Sequence, residues 1–569
     1  MSSTTSLRSR TAGRGAAPRE NPGEQTAWGC APPYGLDRAA QSRLIWACLA
    51  IAIAARSVRF LLRFPLWEDE CFLAANFIDR SYLDLLGPLN FHQVAPLLFL
   101  WVELTCVKLF GFAEWPLRLF PFVCSLGSLL LFRRLAARLL EGLPLLLAVA
   151  AFSLNYSGIR YAAEAKPYGP DQFVSLVLLT LAVAAWRRPH ERRWLWLLAA
   201  VAPLAVGLSY PALFMAGGIS LALAYVLWTS GDRRGWLAWT VYNAALAGSF
   251  ALLLLLTRHQ AASELGFMQD YWKDNLPSLA SPLRFAGWLI VTHASELMSF
   301  PVGGERGAST LSFIVWIIGL AALCRSRRWT LLLLCLAPAA LNIVAAMMGR
   351  YPYGGHVKFA QYLAPAISMV IGVGGAAVVH WHERRTGHGR RALVIALAIF
   401  SLVPLGTMAR DFVSPYKSKT DARYRDFARW FWFDAEFDSE VACFKTDLGQ
   451  EFAPGTFHHL GWSAMYLCNQ KIYSPRHARG EPLRLDLVSD ERPLRCVQFR
   501  AQVYKYDQAA FDRWLDAMQR RYQLVSRDTF AFPCFDQRGR NLLCLDHIDV
   551  FKFTPKANVA SKLLRQGQH

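Results

Sequence analysis

Apolar residues in this chain come in blocks of about 16 to 22, separated by short clusters of arginine. Such a block approaches the roughly 20 residues that an α-helix needs to cross the hydrocarbon of a bilayer. Only 18% of the 569 residues are charged, against roughly 25% in soluble globular chains. The pattern excludes an ordinary soluble enzyme. It also removes nucleic-acid binding as the first explanation of the +20 net charge, because the charge sits between apolar blocks, where it sets membrane topology.

Residues 1–42 are rich in Ser, Arg, Gly and Pro and read as a disordered tail. The first apolar run, Leu44–Ala55, lies too far in for a cleavable signal and reads as the core of an uncleaved helix ending near Leu62. Further spans are expected near 116–132, 143–159, 171–186, 194–209, 211–228, 236–257, 311–324, 330–348, 360–380 and 391–409. Basic connectors lie between them: Arg133, Arg134 and Arg138; Arg187, Arg188, Arg192 and Arg193; Arg233 and Arg234; Arg325, Arg327 and Arg328; Arg384, Arg385, Arg390 and Arg391. These clusters fall on alternate loops, so all can share the cytoplasmic side. The segment 95–110 is short, starts after Pro96 and carries Glu103 and Lys108. If it does not span, the arginine-rich tail shares that side too, so it reads as an amphipathic helix at the outer interface. The expectation is a polytopic α-helical membrane protein with about eleven spans, N-terminus inside and C-terminus outside.

Beyond residue 410 the composition becomes that of a soluble domain. Asp507 can cap a helix whose Phe511, Trp514, Leu515 and Met518 follow helical spacing, and 441–444, 496–504 and 548–553 read as strands. The domains expected are therefore a tail (1–42), a membrane domain (43–409) and a small α/β extracytoplasmic domain (410–569). The last holds Cys443, Cys468, Cys496, Cys534 and Cys544, which leaves room for one or two disulfides without fixing a pairing.

Three loops on the expected outer face carry chemistry. The first contains Trp67-Glu68-Asp69-Glu70, after a helix end bearing Arg56 and Arg59. Acidic groups beside arginines at a membrane surface suggest a site. The plainer alternatives are that Asp69 and Glu70 cap the next helix and that the arginines snorkel. The second runs from Arg160 to Asp171 and crowds Glu164, Lys166, Tyr168 and Asp171 around Pro167 and Pro170, which is either a site or a solvated turn capped by Asp171. In the third, Arg350, His356 and Lys358 flank Gly354-Gly355 ahead of a helix. That turn suits a phosphate or other anionic oxygen, or else anionic lipid headgroups.

The order of Trp67-Glu68-Asp69-Glu70, Phe91-His92-Gln93-Val94-Ala95-Pro96 and Gly111-Phe112-Ala113-Glu114-Trp115-Pro116-Leu117-Arg118 resembles that of the C-type (GT-C) glycosyltransferases. The likeness is to the bacterial family 39-like branch, with the protein mannosyltransferases and lipid A aminoarabinose transferases. Tyr161-Ala162-Ala163-Glu164-Ala165-Lys166-Pro167-Tyr168 and the Gly-Gly-His-Val-Lys turn extend it, over about 43–409.

The resemblance implies a polyprenyl-phosphate sugar donor and an acceptor reached from outside, which could be lipid, protein or polysaccharide. It implies Asp69 as general base and a transfer that inverts the anomeric carbon. Glu70 would orient the acceptor or an interfacial helix, and Glu164 or Asp171 would be a second acid. Lys358 and His356, helped by Arg59 and Arg350, would face the leaving phosphate, with Lys166 and Tyr168 as further substrate contacts. His92 is followed by Gln93 where many relatives have His-Pro-Pro, so it reads as a plain interfacial histidine. Some relatives use a divalent metal, but no three-ligand cluster stands out here and none is expected to be essential. The competing readings are a lipid-linked sugar transporter or flippase, which would normally show inverted repeats, and a membrane scaffold with an outer binding domain.

Overall fold

The computed structural model describes residues 37–77, 80–89, 93–188, 191–277, 281–417, 419–433, 440–445, 493–500, 508–535 and 542–556. His92, Cys468, Asp507 and most of the expected tail lie outside these. Helices α1 (Arg38–Leu61), α2 (Glu68–Ala74), α3 (Leu97–Phe110), α4 (Glu114–Leu139), α5 (Gly142–Ser153), α6 (Tyr156–Tyr161) and α7 (Tyr168–Arg187) come first. Next are α8 (Arg193–Leu208), α9 (Ala212–Ser230), α10 (Gly235–Tyr271), α11 (Pro282–Ala294), α12 (Thr310–Arg325) and α13 (Trp329–Met347). The last membrane-domain helices are α14 (Ala364–Thr386) and α15 (Gly389–Val413).

Eight of the described helical runs are long and apolar enough to cross a membrane: α1, α4, α7, α9, α10 over Gly235–Arg258, α13, Val357–Thr386 and α15. Three shorter apolar helices, α5, α8 and α12, fall where the remaining spans are expected. Helix α1 starts earlier than expected, because Asp37 caps it by accepting from the Ala40 amide at 2.5 Å. Helix α15 likewise runs past 409, to Val413. The stretch 258–310, which separates two expected spans, holds the end of α10 and all of α11. At 37 residues, α10 is about 55 Å long, well beyond the roughly 30 Å hydrocarbon layer.

Side-chain contacts define two ends of the bundle. At one, Arg133 lies 4.3 Å over the Trp46 ring near the start of α1, Arg328 donates to the Leu139 carbonyl at 2.9 Å, and Arg192 approaches Asp232 at 3.9 Å. Contacts thus tie the first arginine loop to the fourth near the start of α1, and the second to the third. At the other end, Arg118 in the first turns of α4 donates to the carbonyls of Phe64 and Pro65, just after α1. The chain therefore leaves α1 and enters α4 at the same end. Of the two helices between them, α2 has only seven residues, so α3 cannot cross and return and lies at that end.

Arg56 and Arg59 do not snorkel. Arg56 is fully buried and donates to Ser125 Oγ at 3.0 Å and to the Ala52 and Ser153 carbonyls. Arg59 donates from Nη1 to both oxygens of Asp411 at 2.8 and 3.0 Å, pinning α1 to the last turn of α15. Glycine lets other helices close up: a Cβ at Gly372 of α14 would lie 2.5 Å from the Pro144 carbonyl oxygen of α5.

After α15 come α16 (Lys419–Phe433), β1 (Glu440–Lys445), β2 (Leu494–Arg500), α17 (Gln508–Arg521), β3 (Tyr522–Phe535) and β4 (Leu542–Pro555). The sheet order is β1-β2-β4-β3, with β1 and β2 parallel and the other pairs antiparallel. The expected strands correspond to β1, β2 and β4, whereas β3 was not anticipated. Alternation along β4 builds two cores. Phe551 and Phe553 pack with Phe511, Trp514 and Met518 of α17, as the spacing predicts. Ile548 and Val550 join Tyr424, Phe427 and Phe431 of α16, and the same cluster takes in Leu66, Phe99 and Leu117. The sheet region and the first loop thus share a hydrophobic core. Of its cysteines, Cys496 is buried, and Cys534 and Cys544 occupy paired positions in the β3–β4 register.

Arg59 and Asp411 are both buried. Arg59→Leu leaves a carboxylate without its partner and should cost about 3 kcal/mol or more. Replacing Asp411 by Leu as well should recover most of that loss, measured by thermal unfolding in detergent.

Candidate active site

The first loop is organised by Glu70. It sits in the first turn of α2 and reaches back to the Trp67 amide at 3.2 Å, which caps the helix. Its carboxylate also takes Arg118 Nε at 2.7 Å and Nη2 at 2.5 Å, and the Ala165 amide at 2.7 Å. One buried carboxylate therefore ties the first loop, the second loop and α4 together. Of the two roles weighed for it, orienting a helix fits this geometry, since both oxygens are occupied.

Asp69, the next residue round the helix, keeps its side chain 26% exposed. Its Oδ1 lies 3.7 Å from Lys166 Nζ and its Oδ2 3.6 Å from Lys358 Nζ. Burial pushes the carboxyl up, but Lys166, Lys358 and Lys417 outweigh it and hold Asp69 below the ordinary aspartate value.

In the second loop, Arg160 Nε bonds Glu164 Oε1 at 3.0 Å, one helical turn apart, and Lys417 Nζ lies 3.8 Å from the same oxygen. Burial alone would raise Glu164, yet Lys417, Arg160 and Arg59 hold it low. Lys166 donates to Gln93 Oε1 at 2.7 Å, which aims it at Asp69. Tyr168 stands edge-on to Tyr161 with centroids 4.9 Å apart. Asp171 is buried in the first turn of α7 and its Oδ1 has no hydrogen-bond partner.

The third loop needs its two glycines. Gly354 and Gly355 have φ of 78° and 77°, which a β-carbon disfavours. A Cβ at either position would also run into Thr292 or Asn275. The turn feeds a 3-10 helix, Val357–Leu363, whose start is fixed by Glu296: this carboxylate accepts from the Val357 amide at 2.8 Å and pairs with His356 Nδ1 at 3.2 Å. Lys358 is thereby held toward Asp69, 5.0 Å from the Trp272 ring centroid.

The fold is similar to that of ArnT from Cupriavidus metallidurans. The structure of ArnT bound to undecaprenyl phosphate shares 12% identity over 89% of this chain and 97% of that one, at a TM-score of 0.47. The apo form gives 13%, 90%, 98% and 0.48. The archaeal oligosaccharyltransferase AglB from Archaeoglobus fulgidus, in complex with an inhibitory peptide and a dolichol-phosphate, gives 14%, 76%, 65% and 0.42. No family model and no curated protein matches the chain.

Of the residues expected in a site, Asp69, Lys166 and Lys358 meet directly, and Glu70, Glu164 and His356 stand around them through the contacts above. Arg59 is committed to Asp411 instead. Arg350 is exposed and makes no ion pair among the described residues. Sequence reasoning passed over Arg118, Glu296 and Lys417. Two of these carried a signal: Arg118 is an arginine inside a spanning helix, and Lys417 follows the last span on the side where short loops are poor in lysine. No group of three or more metal-ligating side chains occurs among the described residues.

Gly355→Ala should therefore displace the turn that carries His356 and Lys358. The expected cost is about 1–3 kcal/mol, seen as a lower melting temperature, with Gly248→Ala on an open helix surface as a neutral control.

Proposed function

We propose that the chain is an integral-membrane glycosyltransferase that takes a sugar from a polyprenyl-phosphate donor and passes it, with inversion, to an acceptor at the outer face of a bacterial inner membrane. The observation that carries this reading is the Asp69 carboxylate set between Lys166 and Lys358, at the bundle end opposite the arginine clusters. The motif order of the three outer loops supports it. A transporter would place its charges nearer mid-membrane.

Asp69 takes the proton of the acceptor hydroxyl, and the acceptor oxygen attacks the anomeric carbon. The bond from that carbon to the phosphate oxygen breaks, and its electron pair leaves with polyprenyl phosphate. Lys166 and Lys358 lie where the leaving phosphate gathers charge, and fixed cations there lower the barrier. The same lysines tune the base. While they pair with Asp69 they keep it ionised but weakly basic. A donor phosphate that draws the ammoniums toward itself removes that stabilisation, and Asp69 becomes a stronger base as the donor binds. Glu70 positions Asp69 without touching substrate.

In this reading the arginine clusters and the tail (1–42) face the cytoplasm, 43–409 is the catalytic membrane domain, and 410–569 is extracytoplasmic.

With a radiolabelled polyprenyl-phosphate sugar, Asp69→Asn should lower release of polyprenyl phosphate by about a hundredfold or more, with an unchanged melting temperature. Wild-type protein that releases none, with any donor and acceptor pool tried, would overturn the proposal. Orientation is checked separately: a cysteine placed in the 111–116 turn should react with an impermeant maleimide from outside. Labelling only from the cytoplasm reverses the topology.

A further inference from the structure

Between Asp411 and Arg425 the chain leaves α15 and enters α16, and along this stretch it is fastened to three separate elements. Asp411 holds Arg59 of α1 at 2.8 Å. Arg425 pairs with Glu114 at the start of α4 at 3.2 Å and donates to the Arg63 carbonyl at 3.3 Å. Midway, Lys417 turns into the site. Its Nζ lies 3.8 Å from Glu164 Oε1 and 2.8 Å from the ring centroid of Trp67, the residue that begins the turn into α2.

The cations around it are hydrogen-bonded: Lys166 to Gln93, Arg160 to Glu164, Arg118 to Glu70 and Arg59 to Asp411. Lys417 Nζ is buried with no hydrogen-bond partner, and so are Glu164 Oε2 and Trp67 Nε1. Buried polar atoms are nearly always paired. Three unpaired ones on side chains linked through Lys417, which faces both Glu164 and the Trp67 ring, mark a place built for more than stability.

We infer that Lys417 is a further residue of the active centre, a positioning residue that acts through Glu164 and Trp67 and couples the docking of the outer domain to the carboxylate site. Its effect on turnover rests on the transferase reading; its placement does not. The charged groups that face it are Glu164 and Arg160 from the second loop and Asp69 and Glu70 from α2, with Arg59 of α1 beyond Glu164. Burial lowers the Lys417 ammonium, Glu164 opposes this and Arg160 adds to it, and the balance is a pKa of about 7. Lys417 is thus a cation below that pH and neutral above it. As pH rises through this point, Glu164 loses one of its counter-charges. An arginine in the same place would keep its charge throughout.

The test compares wild type, Lys417→Gln and Lys417→Arg as full-length chains in detergent. Turnover is followed across the pH range, and acylation of Lys417 by acetic anhydride is read by peptide mass spectrometry in wild type and Glu164→Gln. Lys417→Gln should lower kcat by about tenfold or more at an unchanged melting temperature. Lys417→Arg should keep most activity in mild acid and lack the wild-type decline above about pH 7. Acylation of Lys417 should rise near that pH, and at lower pH still in Glu164→Gln. A Gln variant within twofold of wild type, or an Arg variant with the wild-type pH profile, would overturn the inference. If wild type shows no transferase activity at all, the transferase reading fails and the acylation arm still decides the placement. A Lys417 that titrates like an exposed lysine near about 10.4, indifferent to Glu164→Gln, would refute it.

Discussion

The pairing of Glu70 with Arg118 is the contact on which the outer end of the molecule depends. Burying two opposite charges is costly unless nearly every donor and acceptor finds a partner. Here the carboxylate takes two guanidinium nitrogens and two backbone amides, and the guanidinium also reaches the carbonyls of Phe64 and Pro65. That saturation gives the pair its structural leverage. It fixes where α1 ends, where α2 begins and how the second loop approaches. Asp69 is then presented to Lys166 and Lys358 by the helix that Glu70 caps, and Lys166 stands one residue from the Ala165 amide that Glu70 holds. Loss of this one carboxylate would uncouple Asp69 from the lysine beside it.

Charge serves two purposes at the two ends of the bundle. At one, arginines lie across tryptophan rings and loop carbonyls, exposed or half-exposed, where they work by number and side. At the other, a few lysines and arginines are buried, and all but Arg56, which is held by Ser125 and two carbonyls, have a named carboxylate. The net charge of +20 therefore says a great deal about orientation and little about chemistry, since the chemical cations are a small minority.

How much of this was legible in sequence follows from distance along the chain. Membrane helices announce themselves by apolar length, and the alternation of arginine clusters sets 95–110 apart from the expected spans. Asp69, Lys166 and Lys358 stand out in sequence because each is a charge between apolar blocks, near a proline or a glycine. Their partners could not. Glu296 sits 61 residues before the amide it caps, and the Lys417 that faces Glu164 comes from beyond the last span. Strand β3 escaped for a local reason: Arg527, Asp528 and Pro533 break its apolar pattern. It occupies the edge of the sheet, where such residues are tolerated. In sequence Glu70 is one of two adjacent acids, and only burial separates it from the more exposed Asp69.

The bond between Arg59 and Asp411 joins residues 352 positions apart. Contacts of such separation form late, because the chain between them must be ordered first. During synthesis the first membrane helix therefore waits, with a buried arginine unmatched, until nearly the whole bundle has been inserted. A chain cut short before its last helix would carry that uncompensated charge in the bilayer. The clasp is thus a marker of completeness, closing only on a finished molecule, and it lies a few residues from the lysine that reaches the site.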